Sequence, residues 1–262
     1  MFEDEYPHIA HAIHAVETLV ADYKARLAAD EEVELEVRFG TMNEGKFVAG
    51  ITLADMEKMI ARLATNAAIS THEWVEHHDF FYAPTQTILN RQPDCGTVRT
   101  RVKFNCYNLD IEKVTVTKTK LREVIVKTAN SDQAVRIVLS RERTIPEELL
   151  PNTTATSHVR IQTRKVAEWA HDSPQAAWRY DFSLTWAADT RSQAERLKKD
   201  APPRYEFELE LLASPYLQKH TDRYIATSML LKSCDFDDKP NQRLLVRQSD
   251  FTSPLHTTTT TH

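Results

Sequence analysis

Glycine is scarce in this chain: four residues of 262, where an average protein carries ~7%. That argues against glycine-built phosphate loops, collagen-like repeats and low-complexity linkers. Cysteine is scarce as well. Cys95, Cys106 and Cys234 are odd in number and form no Cys-x-x-Cys pair, so neither a disulfide framework nor a thiolate zinc site is expected, and a reducing compartment fits best. No apolar run approaches the ~18 residues of a membrane span. The N-terminus, Met1-Phe2-Glu3-Asp4-Glu5, is acidic where a secretory or transit signal would be basic, and the expectation is a soluble intracellular protein with no membrane partner. An excess of positive charge is also missing. Lys+Arg 33 against Asp+Glu 38 leaves −5, with a pI near 6.1, so any contact with nucleic acid has to be local.

What is present alternates between two periods. From Ile9 to Ala29 apolar residues recur at helical steps; a second helix is expected from Thr52, with Thr-x-x-Asp55 as its cap, and a third from Ser214-Pro215 through Leu230. Between them the period is two. Strands are expected at Val33–Arg38, His77–Tyr82, Thr97–Phe104, Thr115–Thr128, Ala134–Glu142, His158–Trp169, Ala177–Trp186 and Arg204–Leu212. Asp189–Pro203, charged and ending in two prolines, is expected as a surface connection. Residues 1–254 read as one domain and 255–262, with their threonine run, as an unstructured tail.

Three motifs invite a reading they do not sustain. Gly40 to Lys46 matches most of a Walker A loop, but Phe47 stands where a magnesium-binding hydroxyl is needed, so an ordinary turn is expected. His72 and His77 are spaced five apart, off the shared helical face of a zinc-protease motif, and are expected as a surface pair. His8, His11 and His14 share a helical face and are expected to be solvated or half-buried.

The informative pattern is charge on one face of several strands. Alternate strand residues share a face, so Glu34, Glu36 and Arg38 oppose Val33, Leu35, Val37 and Phe39. Glu206, Glu208 and Glu210 oppose Phe207, Leu209 and Leu211 in the same way. The middle strands supply the other sign: Arg99, Arg101 and Lys103; Lys118, Lys120 and Arg122; Arg160 and Arg164. Two readings fit. The ionic faces either lie in solvent over a common core, or line the lumen of a barrel whose apolar faces turn outward under the helices. In the second case clustered carboxylates suit Mg2+ or Mn2+, the basic strands suit phosphates, and hydrolysis of a phosphoanhydride follows.

From Glu34 to Leu211 the chain resembles the triphosphate tunnel metalloenzymes, and within them the metal-dependent RNA 5′-triphosphatases of fungal, protozoan and large-virus mRNA capping. The resemblance rests on Glu34-x-Glu36, Glu206-x-Glu208-x-Glu210, Arg99-x-Arg101, Lys118, the run Val135-Arg136 to Glu142 before Pro146, Arg160-x-Gln162-x-Arg164, and Trp178 to Asp181. As a stand-alone chain it looks most like the kinetoplastid enzymes. The resemblance implies an α+β fold, an eight-stranded antiparallel β-barrel with a charged lumen and helices packed outside.

It also implies roles. Glu34, Glu36 and Glu210 would bind Mg2+ or Mn2+. Glu142 would orient the attacking water, with Glu208 holding water nearby, and Arg160 would act on the transferred phosphate. Arg99, Arg101, Lys118, Arg136, Arg164 and Lys165 would grip substrate, Glu206 would support the site, and Asp181 would orient an arginine. Gln162 stands where the fungal pattern has lysine, so that phosphate contact is either weakened or taken over by Lys165 or Lys120. The implied reaction removes the γ-phosphate from the 5′-triphosphate end of nascent RNA to give a diphosphate end for capping, in the nucleus, beside a guanylyltransferase partner, with free nucleoside triphosphates as further substrates. The alternatives are a small-triphosphate or polyphosphate hydrolase of the same fold and a silent binder of phosphorylated ends, for which Glu142 would be superfluous. Lys198, Lys199 and Arg204 are candidates for a basic tunnel mouth.

Overall fold

A computed structural model describes residues 7–104, 110–128, 133–146, 156–169, 177–234 and 244–246. Its strands are β1 (Val33–Asn43), β2 (Lys46–Ala49), β3 (Ile69–Thr71), β4 (Val75–Tyr82), β5 (Thr97–Phe104), β6 (Asp110–Thr128), β7 (Gln133–Thr144), β8 (His158–Trp169), β9 (Trp178–Ala188), β10 (Arg204–Leu211) and β11 (Leu244–Val246). The helices are α1 (Pro7–Ala28), α2 (Leu53–Ala64), α3 (Gln86–Arg91), α4 (Arg191–Asp200), α5 (Pro215–Lys219) and α6 (Asp222–Cys234).

Eight strands close into an antiparallel barrel in the order β10-β9-β8-β4-β5-β6-β7-β1, with β1 pairing back to β10. The short β2, β3 and β11 extend it from β1, β8 and β6. The apolar alternates turn outward, not into the lumen. Leu35, Val37, Phe39, Ile137, Leu139, Phe207 and Leu209 form one core with Val16, Leu19 and Tyr23 of α1, Met56 and Met59 of α2, and Ile225 and Met229 of α6. The hydrophobic effect therefore holds helices onto the outside of a barrel whose inside is left to charge. The Tyr23 hydroxyl donates to the Leu211 carbonyl at 2.8 Å, fastening α1 to the end of β10. Among the described residues no helix is long and apolar enough to cross a membrane.

The expected Thr52 cap forms, its Oγ1 accepting from the Asp55 amide at 3.1 Å. The Walker-like segment is a two-residue hairpin turn between β1 and β2, with positive φ at Glu44 and Gly45. Other expectations need correction. Asp189–Pro203 contains α4, capped by Thr190 and braced by Arg191–Glu195, and it buries Ala194 against Val159 and Ile161. The helix expected from Ser214 is two, because Thr221 starts α6 afresh: its Oγ1 accepts from the Tyr224 amide, and Ser214 makes no side-chain cap. In β6 the register steps by one residue between Lys120 and Arg122. That bulge turns Arg122 outward towards Asp22 of α1 and brings Glu123 to the lumen side, where it accepts from Lys120. Residues 255–262, the expected tail, lie outside the described residues.

Candidate active site

Because β1 and β10 are neighbours in register, their charged alternates form one wall: Glu36 pairs across from Glu210, and Arg38 from Glu208. The far side of the ring is β8-β4-β5, and its inward residues fall into rows. Lys103, His77 and Gln162 make one row, Arg101, Asp79 and Arg160 the next, and Arg99, Phe81 and His158 the last. Carboxylates thus face arginines across the lumen. The lumen holds a cavity of about 160 Å3 that opens to solvent. It is lined by Glu34, Glu36, Glu142, Glu208 and Glu210, with Lys118 among them, and by Arg99, Arg101, Arg160 and Arg164 on the far side, with Gln162, Asp181, Arg38 and Arg179 between.

Each charge has a partner that aims it. Asp79, wholly buried, accepts from Arg101 Nε at 2.7 Å and Nη2 at 2.9 Å and from Arg160 Nη2 at 2.6 Å. Burial would raise its carboxyl, but these arginines hold it far below the usual carboxylate range. Asp181 accepts from Arg164 through Nε at 3.1 Å and through Nη2. Burial lowers the Arg164 guanidinium to about 9, with Arg101 adding to the effect. Glu142 lies 3.1 Å from Lys118 Nζ and 3.4 Å from Arg99 Nη2. Glu208 is kept low against the cost of burial by Arg38, Lys118, Arg160 and Arg164. Gln162 accepts from Arg101 at 3.3 Å and donates to Thr185 at 3.2 Å, so it is part of the arginine scaffold.

Three of the sequence-nominated residues lie elsewhere. Lys165 has outward parity in β8: its ammonium donates to the His72 carbonyl at 2.9 Å and lies over the Trp74 ring. It is not beside Gln162. Lys120 is also away from Gln162, more than half exposed and bonded to Glu123. Arg136 has lumen parity but lies beyond the cavity, over the Phe47 ring at 5.0 Å. Glu206 is buried one step below Glu208 and accepts from Arg204 Nε at 2.5 Å. Of the proposed mouth cations, Lys198 is bonded to Glu76 and Arg204 to Glu206. His77 is not half of a surface pair with His72: it faces the lumen, where burial and then Arg101 and Arg164 push its pKa down to about 3. His11 and His14 are exposed on α1.

Asp79 is a member of the site that motif reading misses, and Arg38 and Arg179, which stand inside the charged motifs, are given no role by it. Arg38 lies 2.9 Å from Glu36 and 3.2 Å from Glu208, and Arg179 bonds Glu210. The parity of β1 and β9 points to the two arginines. Asp79 stands among histidines and phenylalanines in β4, with no acidic alternate on its face of the strand, and carries no such signal.

The fit of this wall to a divalent cation rests on its crowding and its donors. Burial pushes Glu210 up to about 7, with Glu34 and Glu36 adding to the rise. Carboxylate oxygens are the donors that Mg2+ and Mn2+ prefer. Among the described residues no three potential ligands are gathered closely enough to hold a metal ion, and Lys118 Nζ lies 2.5 Å from Glu34, 3.1 Å from Glu142 and 3.5 Å from Glu36. On the anion side, the buried Nε groups of Arg99 and Arg179 have no partner among the described residues, a state that bound phosphate oxygens would relieve.

The sequence matches no family model and no curated protein. Solved structures do match. Schizosaccharomyces pombe Pct1 RNA triphosphatase aligns with a TM-score of 0.56 at 15% identity, covering 84% of this chain and 90% of that one. The likeness to Pct1 is one of fold. The same protein in complex with the Spt5 CTD aligns at 0.53 and 14%, covering 83% and 91%. The Mimivirus capping enzyme triphosphatase gives 0.48 and 13%, covering 90% and 98%. The closed eight-stranded barrel that the resemblance implied is thus present, and its fold is shared with Pct1.

Proposed function

We propose that the protein removes the γ-phosphate from the 5′-triphosphate end of RNA, leaving a diphosphate end and inorganic phosphate. The observation that carries this reading is the carboxylate wall of β1 and β10 facing the arginine wall of β8, β4 and β5 across one lumen. Glu34, Glu36 and Glu210 would hold Mg2+ or Mn2+. A divalent cation there supplies charge neutralisation at the phosphoryl oxygens.

The remaining work falls to the chain. Arg99, Arg101, Arg160, Arg164 and Lys118 bind the phosphates, and Asp79 and Asp181 keep the forks of their arginines aimed before substrate arrives, so little reorganisation is left for the reaction itself. Glu142 accepts a hydrogen bond from the attacking water and orients it. Water oxygen bonds to the γ-phosphorus as the bond to the β–γ bridging oxygen breaks, and the leaving diphosphate is stabilised by the same arginines. A diphosphate end offers fewer charges to this wall, so hydrolysis stops after one phosphate. The product suits a guanylyltransferase, and that role would place the protein in the nucleus. Free nucleoside triphosphates present the same phosphates and are further substrates.

The test is release of labelled phosphate from γ-labelled RNA with Mg2+, Mn2+ or chelator, with chromatography of the 5′ ends. Divalent-dependent release with diphosphate ends is the expected result. Monophosphate ends, or release undiminished by chelator, would reject it. Ala substitution at Glu34, Glu36 or Glu210 should abolish release while the protein stays folded.

A further inference from the structure

The last row of the arginine wall changes character. Beyond Arg101, Asp79 and Arg160, the inward positions are Arg99, Phe81 and His158. Phe81 and His158 pair directly across β4 and β8, their rings 5.7 Å apart and tilted by 44°. Outward apolar residues on the same strands, Phe80 and Val159, pack beneath α4, which leaves Phe81 and His158 on the lumen side. Both are half-buried. Arg160 lies over the Phe81 ring at 5.4 Å, so the aromatic surface adjoins a phosphate-binding arginine. The strand end is held in place, with the Phe81 carbonyl accepting from the Ser157 amide at 2.8 Å and its hydroxyl at 3.1 Å.

A bare polyphosphate has no use for aromatic surface, whereas every nucleobase has a π-face that stacks on one regardless of sequence. We infer that Phe81 and His158 form a nucleoside subsite at this end of the tunnel, where the first base of a triphosphate-ended RNA stacks while its phosphates run inward past Arg99 and Arg160. This rests on the triphosphatase reading above and narrows it: the substrate is a nucleotide end, not inorganic polyphosphate. Stacking on a ring face is tolerant of base identity, so any first nucleotide is accepted.

Two measurements test it. The first compares hydrolysis of triphosphate-ended RNA with that of inorganic tripolyphosphate in Phe81→Ala, Phe81→Trp and His158→Ala. The expected result is a KM for RNA raised ~10-fold in both alanine variants, tripolyphosphate kinetics unchanged in His158→Ala, and wild-type behaviour in Phe81→Trp. Equal losses on both substrates in His158→Ala would overturn the subsite. The second needs no turnover: an oligonucleotide beginning with 2-aminopurine and carrying a β,γ-imido triphosphate is titrated with protein, and stacking quenches its fluorescence. Quenching by wild type that is lost in Phe81→Ala is expected. Equal quenching by both, or none by wild type, overturns the inference even where hydrolysis stands. Absent hydrolysis with the expected quenching would instead remove the catalytic reading and keep the subsite.

Discussion

Lys118 Nζ lies 2.5 Å from Glu34 Oε2 and within 3.5 Å of Glu36 and Glu142, so an ammonium from β6 stands among the carboxylates of β1 and β7. Those carboxylates raise its pKa well above the ordinary lysine range, against the opposing effect of burial. A side chain in this position offsets part of the negative charge of the wall.

Lys118→Met should therefore lower the melting temperature of chelator-treated protein, since removing one partner of a buried ion cluster costs about 3–5 kcal/mol. Mn2+ should then raise the melting temperature of the variant more than that of wild type, by mass action on the vacated carboxylates. A larger Mn2+ effect in wild type would show that the two cations do not share this space.

Asp79→Asn leaves Arg101 and Arg160 facing each other without their shared anion. Denaturant unfolding should show a loss of about 3–5 kcal/mol. Turnover at a temperature where the variant stays folded should fall as well, because neither fork is aimed; stability near wild type would mean that the arginines find another partner.

Arg160→Lys keeps the charge and loses the fork that now grips Asp79 and is available to phosphate. Turnover on triphosphate-ended RNA should drop ~10- to 100-fold, about 1.4 to 2.8 kcal/mol of transition-state stabilisation. Wild-type kinetics would remove Arg160 from the phosphate grip.

His77 faces Arg101, Arg164, Lys103 and Asp79, and its pKa falls to about 3 in the folded protein. With the folded pKa below the unfolded one, stability is intact above the ordinary histidine range and is lost as the pH drops through the interval down to about 3. His77→Gln removes that liability. Melting temperatures measured from neutral to mildly acid pH should fall more steeply for wild type than for the variant, and parallel curves would place His77 outside the cationic field.

The parts legible in the sequence were those where period and sign agreed. Glu34, Glu36, Glu208 and Glu210 alternate with apolar residues that the helices cover, so both the strand and its inward face could be counted off. Arg122 was misassigned because counting by twos cannot see the extra residue in β6. Lys165 was nominated to replace a missing lysine, yet its odd position in β8 already placed it outside. Helix α4 escaped notice because a helix that buries little more than Ala194 shows no apolar stripe. Asp79 was invisible for a different reason: its importance comes from two arginines on neighbouring strands, and a single carboxylate announces none of that.

The closure of the barrel carries a consequence for how the site comes into being. Glu36 and Glu210 meet only where β1, the first barrel strand, pairs with β10, the last. Such distant pairings are costly in loop closure and tend to form late. A ribosome must therefore deliver nearly the whole barrel before the paired carboxylate wall exists, so a nascent or C-terminally truncated chain that ends before β10 carries the arginine strands and Glu34 and Glu36 but neither Glu208 nor Glu210, and its lumen stays open along one seam.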